Sequence, residues 1–136
     1  MKKTLPRIIS LPKIYDPRGS LTFAQGGSKG NIPFDIKRAY WIYDVPAGAE
    51  RGGHSHKVSE ELIIALSGSF RVNLFDGDEW RHYDLNRPYN ALYVPPQHWR
   101  TLDNFSTGAV CMVLTSTDFD ESDYIRDYED FKNSVG

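Results

Sequence analysis

Gly48-Ala49-Glu50-Arg51-Gly52-Gly53-His54-Ser55-His56-Lys57-Val58-Ser59-Glu60-Glu61, with Gly68 closing the apolar run that follows, is the stretch that decides the fold. In a β-strand residues i and i+2 share a face, so His54 and His56 are expected to project together into the interior of a small barrel. Two imidazoles converging in one cavity can hold a metal or move protons. Downstream, Glu61-Leu62-Ile63-Ile64-Ala65-Leu66 reads as a buried strand and Ser67-Gly68-Ser69 as a tight turn. Phe70-Arg71-Val72-Asn73-Leu74 alternates, with Phe, Val and Leu on one face.

Working outward, short apolar segments separated by turn signals continue nearly throughout, which argues for an all-β sandwich or barrel. Further strands are expected at Arg38 to Asp44, Trp80 to Leu85, Ala91 to Val94 and Ala109 to Ser116, joined as a meander of hairpins. Asp76-Gly77 marks one such turn and Pro95-Pro96 ends a strand. The tail reads differently. Tyr124, Tyr128 and Phe131 fall at i, i+4 and i+7 after the acidic Asp120 to Asp123, predicting one amphipathic helix whose aromatic stripe is a packing face. At the other end, Ile8, Ile9 and Leu11 supply an edge strand of the kind that small barrels exchange across a dimer.

The 136 residues fit one domain, 1–136, and the net charge of -2 gives no footprint for nucleic acid. Lys2 and Lys3 precede only a short apolar patch broken by Pro6 and Pro12, and no apolar run is long enough to span a bilayer, so a cytoplasmic protein acting on small molecules is expected. The lone Cys111 lies in Ala109-Val110-Cys111-Met112-Val113-Leu114, which reads as core rather than as a reactive thiol.

The spacing from Gly48 to Gly68, G-x5-H-x-H-x4-E-x6-G, resembles the first signature of the cupin superfamily. Other segments narrow the likeness: Asp16-Pro17-Arg18-Gly19-Ser20-Leu21, Ile32 to Tyr40, Arg51 to Lys57, Leu66 to Ser69, Leu92-Tyr93-Val94-Pro95-Pro96, Trp99, and Asp120 to Tyr128. Together they resemble the WxcM-like sugar 3,4-ketoisomerases, which act on thymidine-diphosphate-linked 4-keto-6-deoxyhexoses, over nearly the whole chain. The resemblance implies a double-stranded β-helix (jelly-roll barrel) with a short C-terminal α-helix, a homodimer, no cofactor, and an isomerase serving dideoxy amino sugar synthesis for lipopolysaccharide O-antigen or S-layer glycans.

Moving a ketone from C4 to C3 requires removal of the proton α to the carbonyl and its return to the former carbonyl carbon. An imidazole suits both steps at neutral pH. His56 is the expected base, with His54 beside it as donor, relay or hydrogen-bond partner, and Tyr40 matches a sugar-facing tyrosine. Arg18 and Arg51 are candidates for the pyrophosphate, Arg100 for a phosphate or sugar oxygen, and Tyr93 and Trp99 for stacking on thymine. Lys37 and Arg38 face opposite sides of a strand, so only one can enter the barrel. Glu61 stands where the family usually has glutamine. His54, His56 and Glu61 therefore also form a possible metal triad, although Arg100 opposes a divalent cation there. His82 reads as surface or packing, and His98 follows Pro95-Pro96 near the place where metal cupins add a later histidine. Three other readings stay open: a 3,5-epimerase of the same substrates, a metal-dependent cupin enzyme, and a non-catalytic sugar-binding cupin.

Overall fold

The structure is a computed structural model and describes residues 4–136; Lys2 and Lys3, which entered the leader argument, lie outside the described residues. Among the described residues ten strands form two five-stranded antiparallel sheets. The first contains β1 (Arg7–Ser10), β7 (Asn90–Val94), β4 (Glu61–Ser67), β9 (Val110–Thr115) and β2 (Arg38–Ile42), in that spatial order. The second contains β10 (Tyr124–Ile125), β3 (Arg51–His56), β8 (Trp99–Asp103), β5 (Phe70–Phe75) and β6 (Trp80–Leu85). The expected simple meander is corrected by this order, because only β5 and β6 are neighbours both in sequence and in a sheet. The chain otherwise crosses between sheets, as a jelly-roll barrel requires.

Side chains from both sheets fill the space between them: Ile63, Leu92, Val94, Cys111 and Val113 from the first meet Phe70, Val72, Leu74, Leu85 and Leu102 from the second. Burial drives the Cys111 thiol up to about 12, so it remains a neutral core group. β4 is apolar on both faces because residues 11–34 fold over its outer side, where Leu11, Ile32 and Phe34 cover Leu62 and Ile64. That second cover explains an unbroken apolar run in place of alternation. At the β4–β5 turn Gly68 has φ +66, and a Cβ there would meet Ser106 Oγ at 2.4 Å.

Two boundaries differ from expectation. β2 ends at Ile42, and Asp44 in the left-handed region (φ 56) turns the chain away. The tail is not one helix. A 3-10 turn (Glu121–Asp123) leads into β10, and only then does α1 (Tyr128–Val135) begin, with Asp127 accepting from the Asp130 N–H as its N-cap. Tyr124 therefore belongs to a strand paired with His56, while Tyr128 and Phe131 pack against Phe75 and Trp99.

Candidate active site

The open end of the barrel holds a cavity of about 450 Å³ lined by Arg38, Tyr40, Arg51, His54, Arg100, Phe119, Tyr124 and Arg126, among others. β2 contributes Arg38, Tyr40 and Ile42 from one face, which resolves the Lys37–Arg38 choice in favour of Arg38. β3 contributes Arg51, Gly52, Gly53 and His54. Its register against β8 shifts between Arg51 and His54, with Gly52 at φ +88, so a bulge presents Arg51 and His54 to the same cavity. A larger cavity, about 570 Å³, lies on the covered outer side of the first sheet among Leu11, Ile64 and Met112, away from both histidines.

His54 and His56 do share a face, with ring centroids 4.9 Å apart and edge-on. Their depths differ. His54 lines the cavity, and its Nε2 has no hydrogen-bond partner among the described residues. His56, the base expected from the sequence, is 1 % exposed and does not line the cavity, and its Nε2, like that of His54, is buried. Its Nδ1 is 2.9 Å from Asp123 Oδ2, and its Nε2 is 3.4 Å from Glu61 Oε2. Burial, then the Arg100 charge, pushes both imidazoles well below the ordinary histidine range, more strongly for His54. Both rings are neutral at pH 7.

Glu61, fully buried, joins the remaining groups. It forms an ion pair with Arg100, itself 2 % exposed, and accepts the Tyr40 hydroxyl at 3.2 Å. Burial raises the Tyr40 phenol above its usual range. The ligand atoms of His54, His56 and Glu61 lie within 4.8 Å of one another, the spacing of a metal triad. The donor set nevertheless suits a divalent cation poorly, because the Arg100 guanidinium already occupies the Glu61 carboxylate. A metal there would share its carboxylate with a permanent positive charge.

The other sequence candidates divide. Arg51 lines the cavity mouth, joined by Arg38 and Arg126, which sequence reasoning had not chosen. Arg126 is held by Glu121 at 2.6 and 2.9 Å and lies over the Tyr124 ring. Arg18, by contrast, sits on an exposed turn, bonded to Asp16, and is absent from this lining. Tyr93 points to the outer side of β7, packs against Phe34 and donates to Glu60 at 2.5 Å. Trp99 faces α1, packed on Tyr128 and Phe131. Strand parity turns both rings away from the cavity, which corrects their expected place beside the substrate. His98 is buried, with Nδ1 3.0 Å from the Pro96 carbonyl, and His82 contacts Asn73 Oδ1 at 2.6 Å; neither joins the cavity. Asp123, Phe119 and Tyr124 were missed as site residues. The only sequence signal for them was their place in or beside the family-like Asp120 to Tyr128 segment.

A match to the model of the FdtA family (WxcM-like, C-terminal) covers residues 4–136. The chain belongs to this family. The TDP-4-oxo-6-deoxy-α-D-glucose-3,4-oxoisomerase of Aneurinibacillus thermoaerophilus is 43% identical over 129 residues, covering 95% of this chain and 91% of its own. The sugar 3,4-ketoisomerase QdtA of Thermoanaerobacterium thermosaccharolyticum, solved in complex with TDP, superposes with a TM-score of 0.92 at 39% identity, covering 96% of this chain and 93% of QdtA. A histidine-to-asparagine variant of QdtA, solved in complex with TDP-4-keto-6-deoxyglucose, matches with TM-score 0.92 at 38% identity and the same coverage. The fold of this chain is thus a cupin-like jelly roll.

Proposed function

We propose that this chain is a dTDP-4-keto-6-deoxyglucose 3,4-ketoisomerase that moves the keto group from C4 to C3 through an enediol. The observation that carries the reading is His54: a neutral imidazole on the cavity wall with an unpartnered Nε2, backed by His56 and flanked by Tyr40. His54 Nε2 takes the C3 proton, the C3–H electron pair becomes the C3–C4 double bond, and the carbonyl π pair moves to O4. The O3–H proton passes to O4, the pair left on O3 forms the C3 ketone, the double bond's electrons take the proton at C4 from the His54 imidazolium, and the site is restored with no proton left over. Tyr40 donates to Glu61, so its phenol oxygen is free to accept from a sugar hydroxyl. Arg51, with Arg38 and Arg126 beside it, supplies cationic donors for the pyrophosphate. Arg100 stays paired with Glu61 and shapes the floor.

The chain acts as one domain and as a homodimer. What supports association is the outer face of the first sheet, where Trp41, Tyr43 and Leu66 are 57 %, 58 % and 44 % exposed, and the edge strand β1, which pairs with β7 and is available for exchange between subunits. No helix among the described residues is long and apolar enough to cross a membrane. A cytoplasmic role in dideoxy amino sugar synthesis for surface glycans accords with the nucleotide-linked substrate.

Proton NMR of metal-analysed protein incubated with thymidine diphosphate-4-keto-6-deoxyglucose, with and without prior chelation, tests the reading. Migration of the ketone to C3 in both samples is expected. A ketone retained at C4 with inverted neighbouring carbons means a 3,5-epimerase, and an unchanged but bound sugar means a binding protein.

A further inference from the structure

Asp123 is held from several sides. Its Oδ1 accepts the Val58 N–H at 2.7 Å, its carbonyl accepts the Lys57 N–H at 2.9 Å, and the next residue, Tyr124, pairs with His56 across β10 and β3. The remaining oxygen, Oδ2, lies 2.9 Å from His56 Nδ1. A carboxylate only accepts, so the proton in this contact sits on Nδ1. Burial holds the His56 pKa below the ordinary histidine range, so the ring carries one proton and, with that proton on Nδ1, its Nε2 presents a lone pair 3.4 Å from Glu61 Oε2. The opposite tautomer would place an Nδ1 lone pair 2.9 Å from the Asp123 carboxylate, closer than the 3.4 Å at which Nε2 faces Glu61 Oε2, and the Glu61 charge is already offset by Arg100.

We propose that Asp123 is a positioning residue for proton transfer: it fixes the plane and tautomer of His56, so that Nε2 is the nitrogen able to take up a proton behind His54. The proposal rests on the reading of the cavity as the site of proton transfer. Asp123 touches no reacting atom; it acts through His56, whose ring meets His54 edge-on. An isosteric amide separates this role from packing. Asp123→Asn keeps an oxygen for the Val58 N–H and turns an N–H donor toward His56 Nδ1, which forces the ring proton to Nε2.

The test uses full-length protein with 15N-labelled histidine. Long-range proton–nitrogen correlation without substrate is expected to show His56, identified by the signal lost in His56→Asn, protonated at Nδ1 in the wild type and at Nε2 in Asp123→Asn. With substrate, Asp123→Asn is expected to lower kcat about 10–100-fold, the range for lost partners of functional histidines, with KM little changed. A wild-type His56 protonated at Nε2 overturns the proposal, as does a variant that flips the tautomer yet keeps kcat within about twofold. If Asp123→Asn fails to fold, the wild-type spectrum decides alone. A wild type that moves no ketone fails the isomerase reading instead, and leaves the tautomer assignment standing.

Discussion

Replacing Arg100 with methionine is expected to destabilise the protein heavily, for a reason that lies in Glu61 rather than in Arg100. The two side chains are 2 % and 0 % exposed and form an ion pair, and the carboxylate's other polar contacts are the Tyr40 hydroxyl at 3.2 Å and His56 Nε2 at 3.4 Å. Methionine fills most of the guanidinium's volume, so little cavity forms, but the buried carboxylate loses its counter-charge. Removing one partner of a buried pair costs about 3–5 kcal/mol. With about 2.1 cal/mol/K of unfolding entropy per residue near the midpoint, a chain of this length loses about 10–17 °C in Tm. The control is Arg100→Met with Glu61→Gln, which removes both charges and is expected to recover most of the loss, because a buried pair contributes little over neutral groups that pack as well. Urea unfolding followed by tryptophan fluorescence measures both variants. A single variant within about 1 kcal/mol of wild type, or a double variant no better than the single, would refute the reasoning.

His54→Asn is expected to reduce ketone migration about 10²–10⁴-fold with Tm nearly unchanged, read by NMR and thermal melting; full retained activity removes His54 as base. Stability should fall as pH drops through 6.5, the ordinary histidine value, because the unfolded chain then binds protons that buried His54 and His56 refuse. Urea midpoints between about pH 7 and 5 check the sign, and a midpoint rising toward acid contradicts the buried neutral imidazoles. Metal analysis and chelation are expected to find substoichiometric metal and unchanged turnover, since Arg100 holds Glu61; loss of activity restored by one cation would reassign His54, His56 and Glu61 as ligands. Phe131→Ala, at a fully buried position on Phe75 and Trp99, should cost about 3–5 kcal/mol by calorimetry, and a much smaller loss would mean that α1 docks weakly.

The sequence displayed the barrel because its strands are bounded by turn residues and its alternation survives wherever one face meets solvent. It displayed the paired histidines because strand parity is local. Depth is not local. His54 and His56 have the same parity and both pack on Tyr124 of β10, yet His54 lines the cavity while His56 is 1 % exposed and does not, and nothing within residues 48–61 encodes that difference. Tyr93 and Trp99 show the opposite failure: aromatic residues at the right height in the barrel, whose parity sends them to Phe34 and to α1. The helical spacing of Tyr124, Tyr128 and Phe131 misled because Asp127 caps the helix after Tyr124, and pairing with β3 outweighs local propensity.

The pairing of β10 with β3 also bears on how the site comes into being. His56 and Asp123 are 67 residues apart, and the strand that joins them is two residues long. Closing so long a loop for so few hydrogen bonds is unfavourable until both sheets already stand, because the entropy of closure precedes the contacts that offset it. The core pairings β1–β7 and β2–β9 close loops at least as long but across four and five residue pairs, so the barrel is expected to condense before the two-residue β10 docks and buries and orients His56. A stopped-flow experiment should see the tryptophan environment mature before catalytic competence, with the interval between them measuring the time the tail takes to find its strand.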